Sequence, residues 1–585
     1  MSIASPVPNP AQRAIRQLDN ARALSDAMCE VVVAHHEGDA FDFARTMVLV
    51  PGGRLVPAIE RGLISRARAA GVPLIAPSIV TPLMLAGRLV VPSASVLSPL
   101  AARLAWREVL EASSVANDGF EARVAAVFGA PEVVDARVRT RIAQRMQRLG
   151  SEIASAMLSF QSVARHEAVV SRPELAERLA VLAEFATRRD LLLASVGAVD
   201  RDAALRDAAR PDAPAHRLLT EAFERVVVLL ADPEPVQREL LARLAERGVR
   251  VEVCVHAGAS DLTRVDDDGF PVKAAWEKCG FPVERLPSAM VRVADGPEDC
   301  AREAVEAVRA LSVELGRPVT SDEVALMAPD AETRRALERA LALVGAPASA
   351  VESRRFSATR LGSLLERLAQ LVGERSAESL AAFVRHDDIA CWLERAARGS
   401  GASRASGAAC AVTEYRTETL FANWQDDVVA AAEASSAFAP VRECVQKLAE
   451  PLLLKQPACA WARPIRAALA EIVGADPRGA FAGERARSVR ALDMALVELA
   501  EVPAVFATPI GCDEAIGLIL DELGSKELRG DRHVDGLSIL GWLDTGMTDE
   551  SLLVLAGFAD GLVPQGAPVD PIVPDDLRRQ FGMPS

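Results

Sequence analysis

Lysine is scarce in this sequence, and its distribution excludes one class of enzyme. Only five of the 66 basic residues are lysine, and none of the five follows a glycine. The phosphate-binding loop of P-loop ATPases ends in Gly-Lys-Ser or Gly-Lys-Thr, because the lysine neutralises the phosphates and the hydroxyl holds magnesium. Where a first strand would lead into such a loop, the chain has Gly52-Gly53-Arg54, which fits a tight strand-to-helix turn. We therefore expect no ATP binding or hydrolysis.

Paired cysteines and uninterrupted apolar segments are also missing. The nine cysteines occur singly, with no Cys-x-x-Cys and no metal-like spacing to the seven histidines, which is typical of a reducing compartment. Residues 1–13 have no apolar run of the secretory kind and are expected to be a short disordered lead. The most apolar stretch, residues 74–102, is interrupted by four prolines and Arg88, which excludes a membrane helix. The sequence thus predicts a cytoplasmic protein without a membrane partner.

Positive charge is in deficit over the chain as a whole. There are 66 basic and 81 acidic residues, giving a net charge of −15, so no global basic field exists to hold nucleic acid. One local basic run stands out, with Arg137, Arg141, Arg145 and Arg148 within twelve residues. These four are candidate DNA-binding residues, because arginines in a row suit a phosphate backbone. A solvated helical face is the alternative interpretation.

Short apolar runs alternate with segments of helical periodicity. This alternation predicts β-α-β units whose parallel sheets are covered by helices on both faces. The predicted helices include residues 56–69, 235–247, 297–315 and 331–344, and a short amphipathic helix at residues 575–581. The predicted strands are residues 47–50, 74–80, 226–230, 249–255, 291–293, 324–327, 537–540 and 552–555.

Two long stretches, residues 97–210 and 363–523, have almost no strand signal but many apolar residues at helical spacing. They predict two all-helical insertions, one in each of two α/β domains. The expected segments are a first domain in parts 1–96 and 216–290 around an insertion 97–215, and a second domain in parts 291–362 and 531–585 around an insertion 363–530.

Several segments follow the order of motifs in a known family. Residues 294–298 are an acidic start that leads into the predicted helix 297–315, and residues 322–327 contain the next predicted strand. The predicted helix 331–344 then leads into Gly-Ala-Pro at residues 345–347. This order resembles the opening of the second motor domain of superfamily 1 helicases. Residues 537–544 and 552–564 resemble its last strand pair, but Gly-Trp-Leu-Asp stands where the helicases have His-x-x-Lys-Gly-Leu-Glu. That version is similar to the inactivated helicase half of AddB-type proteins, subunits of bacterial double-strand-break helicase–nucleases.

The resemblance implies two degenerate RecA-like domains and a non-motor scaffold that engages DNA ends in double-strand-break repair. It implies DNA and an active helicase–nuclease subunit of the AddA type as partners in a heterodimer. AddB-type proteins continue into a C-terminal PD-(D/E)XK nuclease with magnesium-binding carboxylates and, in many members, cysteines holding an iron–sulfur cluster. Neither ligand set is found in this sequence. We therefore expect no cofactor within these 585 residues, and expect the nuclease chemistry in a segment after Ser585.

Other clusters that suggest chemistry have simpler interpretations. Residues 231–237 lie where an active motor has its magnesium-holding acids and a glutamine, but Pro233 separates Asp232 from Glu234. His35-His36 side chains diverge on any regular backbone, which favours a polar helix end. The run 266–269, Asp-Asp-Asp-Gly, lacks the alternation of a calcium loop and is expected to be a solvated turn.

No catalytic residue can be assigned. Residues 328–330, Ala-Pro-Asp, occupy the place of the transition-state arginine of motors, and Arg334 and Arg335 beyond them fit a solvated helix face. The late aspartates at 570, 575 and 576 are not followed by an acid-x-Lys motif. Trp392 and Trp542 are candidates for stacking on bases, but both lie in apolar contexts and are expected in the core.

Two rival functions remain open at this point. One is the N-terminal part of a stand-alone PD-(D/E)XK nuclease, and the other is a protein-interaction scaffold that never touches DNA. A neighbouring gene for an active helicase–nuclease would favour the subunit interpretation, whereas failure to retain any DNA end would favour the scaffold.

Overall fold

The computed structural model describes residues 13–19, 22–34, 39–130, 134–214, 216, 218–219, 222–278, 287, 290–346, 348, 354–400, 438–474, 483–506, 508–524, 526–528, 536–559, 561–563 and 572–583. Helices and parallel sheets alternate over this part of the chain, so the predicted α/β class is confirmed. None of the helices found there combines the length and the apolar character that crossing a bilayer requires.

Strands of the described chain fall into two main sheets and three two-stranded pairs. In order they are β1 (Arg13–Leu18), β2 (Phe41–Asp42), β3 (Thr46–Leu49), β4 (Leu74–Ile75), β5 (Ser78–Val80), β6 (Ser95–Val96), β7 (Ala198–Val199), β8 (Arg225–Val228), β9 (Arg250–His256), β10 (Val324–Met327), β11 (Arg354–Arg355), β12 (Glu527–Leu528), β13 (Ser538–Leu540) and β14 (Leu552–Leu555).

A five-stranded parallel sheet in the order β1-β9-β8-β3-β5 organises the first unit. Helices α1 (Leu24–Val33) and α2 (Leu55–Ala70) cover one face, and α3 (Pro82–Leu89) and α11 (Pro235–Glu246) cover the other. Successive strand residues point to opposite faces, so Met47 and Leu49 enter one core layer while Val48 enters the other. Burial on both faces explains why these strands are continuous apolar runs.

Two strand predictions and the prediction for the N-terminal residue Arg13 need correction. Residues 291–293 form no strand, and Val291 and Val293 are exposed. The expected strand 74–80 is two short strands, β4 and β5, in different sheets. Arg13 does not belong to a disordered lead, because β1 pairs in parallel with β9 over six residues. Three of its six residues, Arg13, Arg16 and Gln17, are polar, so this edge strand gives no apolar run.

Residues 99–209 form the first helical group. Its helices are α4 (Pro99–Ala116), α5 (Phe120–Val127), α6 (Ala136–Ser155), α7 (Phe160–Ala164), α8 (Glu167–Val170), α9 (Pro173–Ser195) and α10 (Arg201–Ala209). Trp106, Phe120 and Phe185 meet edge to face in its core. The short helix Asp575–Phe581, predicted from its amphipathic sequence, is confirmed, and it packs into this core rather than on the second sheet.

The second unit is built on the parallel order β13-β10-β14. Helices α13 (Pro297–Leu315) and α14 (Ala331–Leu343) pack on it, and both match the predicted segments. A short helix, α12 (Lys273–Glu277), precedes them.

The second helical group occupies residues 360–523. Its helices within the described ranges are α15 (Arg360–Glu374), α16 (Ala377–Val384), α17 (Asp387–Ser400), α18 (Phe438–Ala449), α19 (Ala462–Val473), α20 (Glu484–Ala500) and α21 (Cys512–Leu523). The last helix of the chain, Asp575–Phe581, is α22. The start of α4, at Leu100 and Leu104, enters the core of this group. Two ion pairs, Arg103–Glu522 at 3.0 Å and Arg107–Glu514 at 2.7 Å, reinforce the junction.

Candidate functional site

The four candidate arginines share one face of α6. Asp135 begins this helix, because its carboxylate accepts a hydrogen bond from the backbone N–H of Val138 at 2.8 Å. Arg137, Arg141, Arg145 and Arg148 are all exposed. At 3.6 residues per turn they lie within an arc of about 80° and span about 16 Å of helix axis. We call this set the arginine row.

The opposite side of α6 packs against the core of the first helical group. Ile142, Met146 and Leu149 are buried in the core of the first helical group. Arg139, the fifth arginine of the run, turns away from the row and forms ion pairs with Glu111 at 3.1 Å and Glu121 at 2.5 Å. The helix therefore separates one structural arginine from four solvent-facing ones.

Most of the arginine row is electrostatically unpaired. Arg148 forms an ion pair with Glu152 one turn later, at 3.1 Å, but remains 83% exposed. Arg137, Arg141 and Arg145 form no ion pair with any residue of the described ranges. The protein's own acidic residues therefore neutralise little of the positive charge of the row, which is available to an external anion.

The strand-to-helix loop after β3 is covered by the second unit. A Cβ atom added to Gly52 would lie 3.1 Å from Cε of Met547, which belongs to the 3₁₀ segment Trp542–Met547. Arg54 forms a largely buried ion pair with Glu550. The position of a phosphate loop is therefore filled by side chains from residues about 500 positions away in the sequence.

Asp549 completes this contact between the two units. Its carboxylate accepts hydrogen bonds from the backbone N–H groups of Leu24 and Ser25, at 2.7 and 3.3 Å, and from the Ser25 hydroxyl at 2.7 Å. The residue before α1 is Ala23, which has no side chain able to cap it, so the second unit supplies the cap. We call Met547, Asp549 and Glu550 the clasp. Sequence reasoning missed it, because nothing near these residues indicates a partner so distant in the chain.

The acidic segment 231–237 has a structural role at the start of α11. The backbone N–H of Glu234 donates to Oε1 of Gln237 at 3.1 Å, and Nε2 of Gln237 donates back to the Glu234 carboxylate at 3.0 Å. This reciprocal pair caps the helix. Burial and then the charge of Asp202 raise the pKa of Glu234.

A cleft of about 650 Å³ brings Glu234 and the end of the arginine row together. Asp202 and Arg148 line the same cleft, which lies between α6, α10 and α11. Burial raises the pKa of Asp202, and the charge of Asp200 raises it further, while a hydrogen bond with Ser151 opposes the shift. Acidic and basic side chains therefore line the same cleft.

The other clusters named from the sequence show no chemical site. Within the residues that the structure describes, no group of three or more His, Cys, Asp or Glu is arranged to hold a metal. Asp266 binds the backbone N–H groups of Asp268 and Phe270, as expected of a turn. Asp576 pairs with Arg172 at 2.6 Å. His35, His36 and Asp570 lie outside the described residues.

The two candidate tryptophans have opposite environments. Trp392 is buried in the second helical group, so its predicted core position is confirmed. Trp542 is 40% exposed, so the prediction that it belongs to the core is wrong. It follows β13, an edge strand of the three-stranded sheet.

Comparison of the chain with protein-family models gives no match, and comparison with curated protein sequences gives none either.

Proposed function

We propose that this chain is a non-motor, helicase-like DNA-binding subunit that engages DNA ends during double-strand-break repair. In this proposal the two parallel-sheet units are RecA-like domains that have lost their nucleotide chemistry. ATP hydrolysis and magnesium-dependent cleavage would then come from an active helicase–nuclease partner of the AddA type.

The arginine row is the observation on which the DNA-binding part depends. Four exposed guanidinium groups lie on one helical face, although the protein as a whole has a net charge of −15. Their span of about 16 Å corresponds to roughly five phosphates of one strand at 3.4 Å per nucleotide. Guanidinium groups bind phosphate oxygens in a bidentate manner, which favours arginine over lysine at such a surface.

The clasp supports the non-motor part. An ATP-binding loop must leave its backbone N–H groups open to the phosphates. Here Met547 lies against Gly52, and Glu550 places a carboxylate on Arg54. An anionic nucleotide would have to displace a carboxylate from the same position.

A salt titration with fluorescent duplex DNA tests the proposal. The variant Arg137→Ala/Arg141→Ala/Arg145→Ala/Arg148→Ala should bind more weakly. The log–log slope of affinity against salt should fall by about 0.9 for each lost phosphate contact, so by up to about 3.6 in all. The measurement is fluorescence anisotropy between roughly 50 and 200 mM salt, where phosphate contacts dominate.

A matched control removes four exposed arginines from elsewhere. Arg61, Arg68, Arg463 and Arg490 are exposed on other helices and have no ion pair with a described residue. Their replacement by alanine lowers the net charge by the same four units and should leave the slope close to that of the wild type. Equal slopes in both variants would refute a role for the row, and the absence of any DNA binding by the wild type would favour a protein scaffold.

A further inference from the structure

The cleft between α6, α10 and α11 has the size of a small-molecule site. Its volume is about 650 Å³, and pockets for small organic ligands measure roughly 300–1,000 Å³. Leu97, Leu205 and Val236 give it an aliphatic wall, and Ser151 and Ser155 of α6 line it with hydroxyl groups. An apolar wall with a few polar groups is the usual composition of such a pocket. The cleft therefore has room and surface for an organic molecule.

The arginines that line the cleft each have a partner within the protein. Arg103 pairs with Glu522 at 3.0 Å, and Arg148 pairs with Glu152 at 3.1 Å. Arg201 donates a hydrogen bond to a backbone carbonyl oxygen at the start of α3. An anionic ligand inside the cleft would have to compete with these acceptors for the same guanidinium groups.

Two acids of the cleft have no such counter-charge. Asp202 on α10 and Glu234 at the start of α11 are both half-buried, and neither forms an ion pair with any residue that the structure describes. Ser151 forms a hydrogen bond with Asp202, and Ser155 forms one with Glu234. These hydroxyl groups carry no charge, and a half-buried carboxylate without a cation is costly.

The two carboxylates also act on each other. Burial raises the pKa of Glu234, and the charge of Asp202 raises it further. For Asp202, burial raises the pKa more than the neighbouring charge of Arg201 lowers it. The cleft thus holds two acids that repel each other, and a cation between them would remove that repulsion.

We propose that the cleft binds a small aliphatic amine, with its ammonium group between Asp202 and Glu234 and its alkyl chain along Leu205 and Val236. The inference does not depend on the proposed function. Burial of the alkyl chain favours an organic amine over a bare metal ion, which would gain nothing from the aliphatic wall. The two acids disfavour a nucleic-acid strand, because they would repel its phosphates.

Three small probes separate the contribution of the charge from that of the chain. Isothermal titration calorimetry of the full chain should show binding of n-butylamine. The alcohol n-butanol has the chain without the charge, and should bind about 10- to 150-fold more weakly, the range for a hydrogen bond to a charged group. Methylamine has the charge but lacks three methylene groups, and should bind about 50-fold more weakly.

Matched variants assign the binding to the two acids. Asp202→Asn/Glu234→Gln keeps the side-chain shapes and should weaken n-butylamine binding by about 10- to 150-fold. It should not lower the unfolding temperature, because it removes a repulsion, and Asp202→Asn alone keeps the test valid if the double variant fails to fold. The control is Asp207→Asn/Glu246→Gln, which removes one exposed acid from each of the same two helices. Neither of these residues lines the cleft, so the control should bind n-butylamine like the wild type.

Several outcomes would overturn the inference. If the control variant loses as much affinity as Asp202→Asn/Glu234→Gln, the amine responds only to the overall charge of the protein. If n-butanol binds as tightly as n-butylamine, the cleft does not select a cation. If Mg²⁺ binds with the same dependence on the two acids while n-butylamine does not bind at millimolar concentration, the cleft holds an inorganic cation and the assignment to an amine is refuted.

Discussion

A buried carboxylate in the first sheet provides the sharpest test of the fold. Glu252 lies in the middle of β9 and is fully buried. Its carboxylate oxygens lie 2.6 Å from Nη2 of Arg225, 2.5 Å from Nε of Arg250 and 3.5 Å from Nη2 of Arg16. Because Arg16 belongs to β1 and Arg225 to β8, this one acid links the three strands.

We predict that Glu252→Gln destabilises the first unit by about 3–5 kcal/mol, the usual loss when one partner of a buried ion pair is removed. The glutamine keeps the shape but leaves Arg225 without a neutralising charge in the core. Arg225 cannot turn to solvent, because its guanidinium also donates to the carbonyl oxygens of Val31 and Val32 at 2.7 and 2.9 Å.

Hydrogen exchange of the β8 and β9 amides measures this loss. A decrease of about 3 kcal/mol should speed their exchange by roughly a hundredfold. Glu224→Gln is the control. Glu224 immediately precedes Arg225 in the sequence, but it is exposed and pairs with Arg45 at the surface. That change should lower the free energy of unfolding by less than about 1 kcal/mol. Similar exchange in the two variants would refute the reasoning.

The effect should also depend on pH in a defined direction. Burial by itself would raise the pKa of Glu252, but the hydrogen bond and charge of Arg225, together with Arg250 and Arg16, lower it on balance. A lowered folded-state pKa stabilises the protein above the ordinary glutamate pKa of about 4.3, and the benefit is lost as the pH falls through the lower folded value. Wild type and Glu252→Gln should therefore converge in acid, and a constant difference would contradict the assignment.

Three further predictions concern the loop, the clasp and the helical groups. The purified chain should show no binding of a fluorescent ATP analogue. Micromolar affinity for the analogue together with DNA-stimulated ATP turnover would refute the non-motor proposal. Asp549→Ala should weaken the start of α1 by about 1 kcal/mol and speed its amide exchange about fivefold, whereas unchanged exchange would mean that the clasp does not cap the helix. Gly362→Ala should destabilise the second helical group, since the added Cβ would lie 2.1 Å from the Phe356 carbonyl oxygen. In contrast, Gly517→Ala meets nothing within 4 Å and should stabilise α21 by up to about 1 kcal/mol, so equal thermal shifts would refute the argument.

Elements with strong local signals were predictable from the sequence. The buried strand β10 and the helices α13 and α22 match their predicted bounds. In each case an apolar pattern ends at a residue that stops the element, such as Gly316 after α13 or Gly582 after α22, both in the left-handed conformation. The position of the arginine row on a helix also followed from periodicity, because exposure repeats with the turn of the helix.

Contacts between distant segments were decided only by the tertiary structure. The hydrogen bonds of Asp549 to α1 join residues more than 500 positions apart, and α22 packs into a core formed by residues 106–186 rather than on the sheet just before it. Likewise, the same local sequence around Trp542 fits a core or a surface position, and only the folded structure shows that the ring is 40% exposed. Local sequence fixes which backbone conformation is favourable and which residues prefer burial. What a face is buried against depends on the packing of the whole chain, so the clasp became visible only in the folded protein.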